Sequence, residues 1–285
     1  MSDPRPIGVF DSGVGGLTVL REIVRRSPHE STIYLGDNAR APYGVRSDEE
    51  VLTFSTQSLD ALVERDVKAL VVACNTSTAV GIAAFRRRYD LPVLGVIRPG
   101  ASAAALATRN RRVGVIATPA TIRSHAYFNA IKDENPAVEV YEHATPDLVP
   151  LVEAGELTGP VAEATVAASL AALLGERDAD GESIFPRPPG ATIDTLLLGC
   201  THYPLLSPII EGIVGERVAI VDSATATASA LSELLGVNGL DASTDGPAGH
   251  RQLTTGDARR FGQLAGRLFG TDFPDVESVE LGVLA

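Results

Sequence analysis

Two cysteines and one histidine carry the chemistry on offer. Cys200 and His202 stand two residues apart in Gly199-Cys200-Thr201-His202-Tyr203-Pro204, after the apolar run Thr195-Leu196-Leu197-Leu198. The other cysteine of the 285-residue chain, Cys74, lies in Val71-Val72-Ala73-Cys74-Asn75-Thr76. Its setting repeats the first: a short apolar strand, then the thiol, then polar residues that open a helix. Free N–H groups and the dipole at a helix N-terminus stabilise a thiolate, so both thiols are expected below the ~8.5 of a free cysteine.

Several chemistries use such thiols. Redox exchange wants Cys-x-x-Cys, which is absent, and a disulfide is the poorer reading for a reducing compartment. Metal binding wants clustered ligands, but His29, His125, His143 and His250 are scattered and only His202 lies near a cysteine, so no metal site is expected. Acyl transfer needs one nucleophile and a base; Cys200 with His202 would serve, leaving Cys74 superfluous. Reversible proton transfer at carbon needs two matched groups, a thiolate removing a proton from one face and a thiol returning one to the other. Asp11 and Asp37, or Glu153 and His202, are candidate groups for shuttling protons to and from the thiols.

The elements that must position these residues follow an alternating pattern. A strand at Ile7–Asp11 runs into the glycine-rich turn Ser12-Gly13-Val14-Gly15-Gly16 and a helix at Leu17–Arg26. A phosphate loop would need Lys-Ser or Lys-Thr after the glycines, and the dinucleotide fingerprint needs wider spacing. What remains is a helix N-terminus ready for a carboxylate. Strand Thr32–Gly36 leads into the loop 37–44, Ser47 and Glu50 have the spacing of a capping box, and a helix reaches residue 65. A strand at 68–73, the Cys74 turn, a helix at 76–89 and a strand at 92–97 follow. Pro99-Gly100 is the expected domain boundary.

Beyond it the pattern begins again, with a strand at 112–117 resembling Ile7–Asp11, a strand at 137–142, Glu153 just ahead of Gly155, and a helix at 161–174. A polar, Pro-rich loop at 178–190 precedes the strand into Cys200. The Gly8-to-Gly114 spacing is shorter than the Cys74-to-Cys200 spacing, and that loop with its flanks can absorb the excess. The expected fold is α/β, with two similar domains, each a mainly parallel sheet flanked by helices, and the active site in the cleft between them. Residues 1–98 plus 209–285 are assigned to the first domain and 99–208 to the second. A strand at 217–221, a helix at 223–235, a strand at 251–254 and an Asp257-capped helix to Phe269 are thus expected to complete the first domain, with a peripheral tail from Thr271.

Composition bounds the function. Hydrophobic residues at 45% and charged residues at 21% are globular values without disordered bias. A net charge of −12 disfavours nucleic acid or an anionic membrane as partner. The first six residues lack a signal peptide's apolar core, and no apolar stretch reaches the ~20 residues of a membrane helix, so a cytoplasmic location is expected.

The motifs in combination resemble the cofactor-independent aspartate/glutamate racemase family. The resemblance runs through Ile7 to Gly16, Gly36-Asp37-Asn38, Pro42-Tyr43-Gly44, Ala73 to Thr76, Gly95-Val96-Ile97, Pro99-Gly100-Ala101, Gly114 to Thr118, Gly199 to Pro204 and Thr255-Gly256-Asp257. It implies interconversion of L- and D-glutamate for peptidoglycan synthesis, without pyridoxal phosphate, nicotinamide or metal. It implies Cys74 and Cys200 as the acid/base pair, Asp11 assisting the first thiol, and His202 and Glu153 assisting the second. Substrate binding would fall to Asp11, Ser12, Tyr43, Gly44, Asn75, Thr76, Thr118, Thr201 and His202. No arginine lies in a cysteine motif, so N–H groups and hydroxyls are expected to hold the side-chain carboxylate. Family members are commonly homodimers, and some actinobacterial relatives inhibit DNA gyrase, so a second copy and gyrase are the protein partners that the resemblance brings.

Overall fold

The computed structural model describes residues 2–174, 193–244, 246–270 and 275–281. The first half alternates β1 (Ile7–Asp11), α1 (Leu17–Arg26), β2 (Thr32–Gly36), α2 (Asp48–Val63), β3 (Ala69–Val72), α3 (Asn75–Arg88) and β4 (Val93–Gly95). The second comprises α4 (Ile97–Ala107), β5 (Arg112–Ala117), α5 (Pro119–Arg123), α6 (Ala126–Glu134), β6 (Glu139–Ala144), α7 (Leu148–Glu153), α8 (Pro160–Leu174), β7 (Thr195–Gly199), α9 (Ser207–Val214) and β8 (Ala219–Asp222). Then follow α10 (Ser223–Asn238), β9 (His250–Thr254), α11 (Ala258–Phe269) and β10 (Val276–Ser278).

Two sheets result, ordered β10-β9-β2-β1-β3-β4 and β6-β5-β7-β8. Every strand pair described is parallel. Helical crossovers cover the faces of such sheets, which is why β1, β2, β3 and β7 are buried along their whole length and read as short apolar runs. The sheets share one continuous core, which takes in Ile7, Val9 and Val71 of the first, Ile116 and Leu198 of the second, and Ala228 and Leu231 of α10 between them.

The order β2-β1-β3-β4 recurs as β6-β5-β7-β8. β8 is therefore the counterpart of β4. The strand expected at 217–221 in the first domain pairs with β7 in the second sheet, as Leu198 opposite Asp222 shows. The segment carries no local mark of the strand it pairs with. Pro99-Gly100 likewise lies inside the first turn of α4, where a proline has no helical N–H partner to lose.

Local capping agrees with the sequence. Ser47 and Glu50 form the reciprocal capping box of α2, and Asp257 accepts from the Arg260 N–H at the start of α11. α5 and α6 are separate helices because the chain breaks at His125, which sits in the left-handed region at φ 52°. The loop at 178–190 lies outside the described residues, as do 271–274 and 282–285. The described part of the tail is an edge strand, β10 pairing with β9. Among the described residues no helix is long and apolar enough to cross a membrane.

Candidate active site

Both cysteines follow the carboxyl end of a strand, where open α/β sheets gather their ligands. β1 delivers Asp11, fully buried, and the chain then turns through Ser12–Gly16. A Cβ on Gly16 would lie 2.4 Å from Asp11 Cβ, so the turn closes only with glycine there. Asp11 Oδ2 accepts from the Gly13 N–H at 3.0 Å, and Thr201 Oγ1 donates to Oδ1 at 3.5 Å from the other half. Burial raises the Asp11 carboxyl above its ordinary value, against the opposing pull of the His202 charge and the Gly16 and Gly13 N–H groups.

Cys74 is the N-cap of α3, as expected. Its sulfur accepts from the Ser77 N–H at 3.4 Å and donates to Ser12 Oγ at 3.5 Å. The expected lowering of this thiol does not occur. Burial first, then the neighbouring Asp11 charge, push it up to about 11, outweighing the hydrogen bonds from Ser77. One long N–H···S contact is a weak counter to full desolvation.

The second turn differs. Cys200 opens not an α-helix but a turn into a single 3-10 turn at Tyr203–Leu206, with α9 only after that. Its sulfur lies 3.8 Å from His202 Nδ1, and His202 Nε2 lies 3.3 Å from Glu153 Oε1 at the end of α7. Burial alone would lower the imidazole, but its hydrogen bonds and charge interactions with Cys200 and Glu153 prevail and raise it to about 10. A charged imidazolium beside a sulfur is the environment that favours a thiolate.

The glycine turn, first weighed as a phosphate cradle, serves close approach. A Cβ on Gly15 would lie 2.4 Å from Thr201 Oγ1 and 2.5 Å from His202 Nδ1, so this turn seats the second thiol turn directly. Gly44 plays the same part beside Thr118, which a Cβ would meet at 2.8 Å.

Between the halves lies a cavity of about 90 Å³ lined by Cys74, Cys200, His202 and Glu153. Ser12, Tyr43, Gly44, Asn75, Thr76, Thr118 and Thr201 also line it, whereas Asp11 lies beneath the surface and is not part of the lining. Among the described residues no arginine or lysine lines it. Thr76 Oγ1 is 3.0 Å from Thr118 Oγ1 and 3.4 Å from Thr121 Oγ1, so hydroxyls from both halves meet at its edge.

Asp37, a candidate proton shuttle by sequence, is occupied elsewhere. Its buried carboxylate accepts from the Tyr43 hydroxyl, from Arg40 Nε at 2.7 Å and from Thr255 Oγ1 at 2.6 Å. It holds Tyr43 in place and has no described contact with either sulfur. Sequence reasoning missed Thr121, and it gave no role to Tyr127, whose hydroxyl donates to Asn75 Oδ1 at 2.6 Å. The three-residue spacing of Thr118 and Thr121 at a helix start signals the first, while nothing local signals the second.

Comparison with known proteins bears on this geometry. Residues 7–181 match the family model described as Asp/Glu/Hydantoin racemase. A glutamate racemase of Listeria monocytogenes serotype 4a is 45% identical over 276 residues, covering 97% of this chain and 98% of the relative. The crystal structure of a glutamate racemase isoform from Bacillus anthracis is 42% identical with a TM-score of 0.88, covering 97% of this chain and 98% of that one. That of glutamate racemase from Francisella tularensis, in complex with D-glutamate, is 33% identical with a TM-score of 0.85, covering 98% of each chain.

Proposed function

The chain belongs to the Asp/Glu/Hydantoin racemase family, and we propose that it interconverts L- and D-glutamate by passing the α-proton between two thiols. The observation that carries this reading is one small cavity lined by Cys74 from the first half and Cys200 from the second. One sulfur takes the α-proton: the Cα–H bond breaks, an S–H bond forms, and the electron pair stays on Cα and its carboxylate. The other thiol gives its proton to Cα from the opposite face, and the product leaves with inverted configuration. An acid and a base of one chemical type suit a reaction that runs both ways.

The surroundings divide the resting roles. Cys74, pushed up to about 11, carries its proton at neutral pH, while His202, raised to about 10, places a positive charge beside the Cys200 sulfur. Glu153 orients and charges His202; Asp11 acts on Cys74 from beneath. The substrate carboxylates fall to the Ser12, Thr76, Thr118 and Thr201 hydroxyls, the Asn75 amide and the N–H groups at the start of α3. The same reading makes the chain a cytoplasmic homodimer that supplies D-glutamate for peptidoglycan, which rests on the family resemblance. Gyrase as a partner has the same support alone.

The test is α-proton exchange in deuterated water without added cofactor. Glutamate should exchange and racemise. Exchange of aspartate but not glutamate would move the chain to another substrate within the family, and binding without exchange would make it a non-catalytic carboxylate-binding protein.

A further inference from the structure

Tyr127, a buried residue of α6 that the proposed mechanism leaves unused, touches both thiol turns. Its hydroxyl donates to Asn75 Oδ1 at 2.6 Å, reaching from the second half to the residue after Cys74. Its ring lies against Gly199, the residue before Cys200, where a Cβ would sit 2.9 Å from the ring.

Asn75 lines the cavity and is 3% exposed, and its Nδ2 is buried without a hydrogen-bond partner. Burying an amide donor unpaired is unfavourable unless a ligand takes it up.

We propose that Tyr127 is a positioning residue. It commits the Asn75 oxygen to the protein, keeps the Asn75 N–H pair for a substrate carboxylate, and ties the start of α3 to the end of β7. This rests on the glutamate reading.

The test is Tyr127→Phe in the full chain, which keeps the ring against Gly199 and removes only the hydroxyl. The KM for glutamate should rise about tenfold, the equivalent of one ordinary hydrogen bond, with kcat changed by less than about threefold. In an Asn75→Ala background the same substitution should add nothing, because two residues acting through one contact are not additive. Should the phenylalanine variant fail to fold, Asn75→Ala alone should raise KM in the same direction. An unchanged KM in the variant that folds, or an undiminished effect without Asn75, overturns the proposal. Inactive wild-type protein would instead overturn the glutamate reading. The side-chain amide resonances of Asn75 in substrate-free protein would then still decide: displaced by Tyr127→Phe they uphold the positioning role, unmoved they refute it.

Discussion

Cys74 and Cys200 hold equivalent places, each just past the strand that neighbours the glycine-bearing β1 or β5, yet their surroundings are unlike. Cys74 caps a helix, is bonded only by hydroxyl and N–H groups, and has a buried carboxyl beneath it. Cys200 sits in an irregular turn against an imidazole that its interactions with Cys200 itself and with Glu153 keep charged. Burial is the same for both, at 4% and 6% exposed, so access cannot distinguish them. The difference lies in the sign of the nearest charge. On the proposed mechanism, that difference makes Cys74 the resting acid and gives Cys200 a cationic partner.

The strongest challenge to this comparison is removal of either thiol. Cys74→Ala and Cys200→Ala should each lower racemisation at least about 10³-fold, within the range of a lost general acid or base. Circular dichroism of the glutamate pool reads this, and near-normal turnover in either variant would end the two-thiol mechanism.

His202→Asn addresses the asymmetry itself and should lower kcat about 10²-fold. Alkylation by iodoacetamide, mapped by peptide mass, supplies the second readout. A thiol with a pKa near 11 is ionised to roughly one part in a thousand at pH 8, so Cys200 should be labelled ahead of Cys74 in the unmodified protein. The asparagine variant should slow Cys200 and leave Cys74 alone. Labelling of Cys74 first would reverse the assignment.

The smallest effect is on stability. The folded pKa of His202, about 10, exceeds its ordinary 6.5, so its contribution is complete below pH 6.5 and is lost as pH rises towards 10. Cys74, raised from 9.0 to about 11, adds a loss confined to the window above pH 9. Melting temperature should therefore fall by roughly 2–6 °C between pH 7 and pH 10, a shift of one or two kcal/mol for a chain of this size. His202→Asn should flatten the profile from its neutral end and Cys74→Ala only from its alkaline end. Identical profiles for both variants would deny the two turns their different charges.

Much of this arrangement was legible in the sequence. The apolar runs before Cys74 and Cys200, the Ser47 capping box and the Asp257 cap are local signals, and the structure obeys them because a strand or a cap depends on few neighbours. The sheet that β8 joins was not legible, since Ala219–Asp222 has no local mark of its partner. Nor was the work of Asp37, which reads as a loop carboxylate at a strand end and is committed to Tyr43, Arg40 and Thr255. Gly15 was noticed for its spacing, but its reason is the second thiol turn pressed against it.

The sequence by itself determined that two thiols close two parallel strands and that polar residues follow each. Only the tertiary structure decided what each thiol is. Cys74 meets Asp11 across the width of two strands, and His202 meets a carboxylate 49 residues away on α7. A thiol's acidity is set by its burial and by the charges within a few ångströms, and folding alone brings those together.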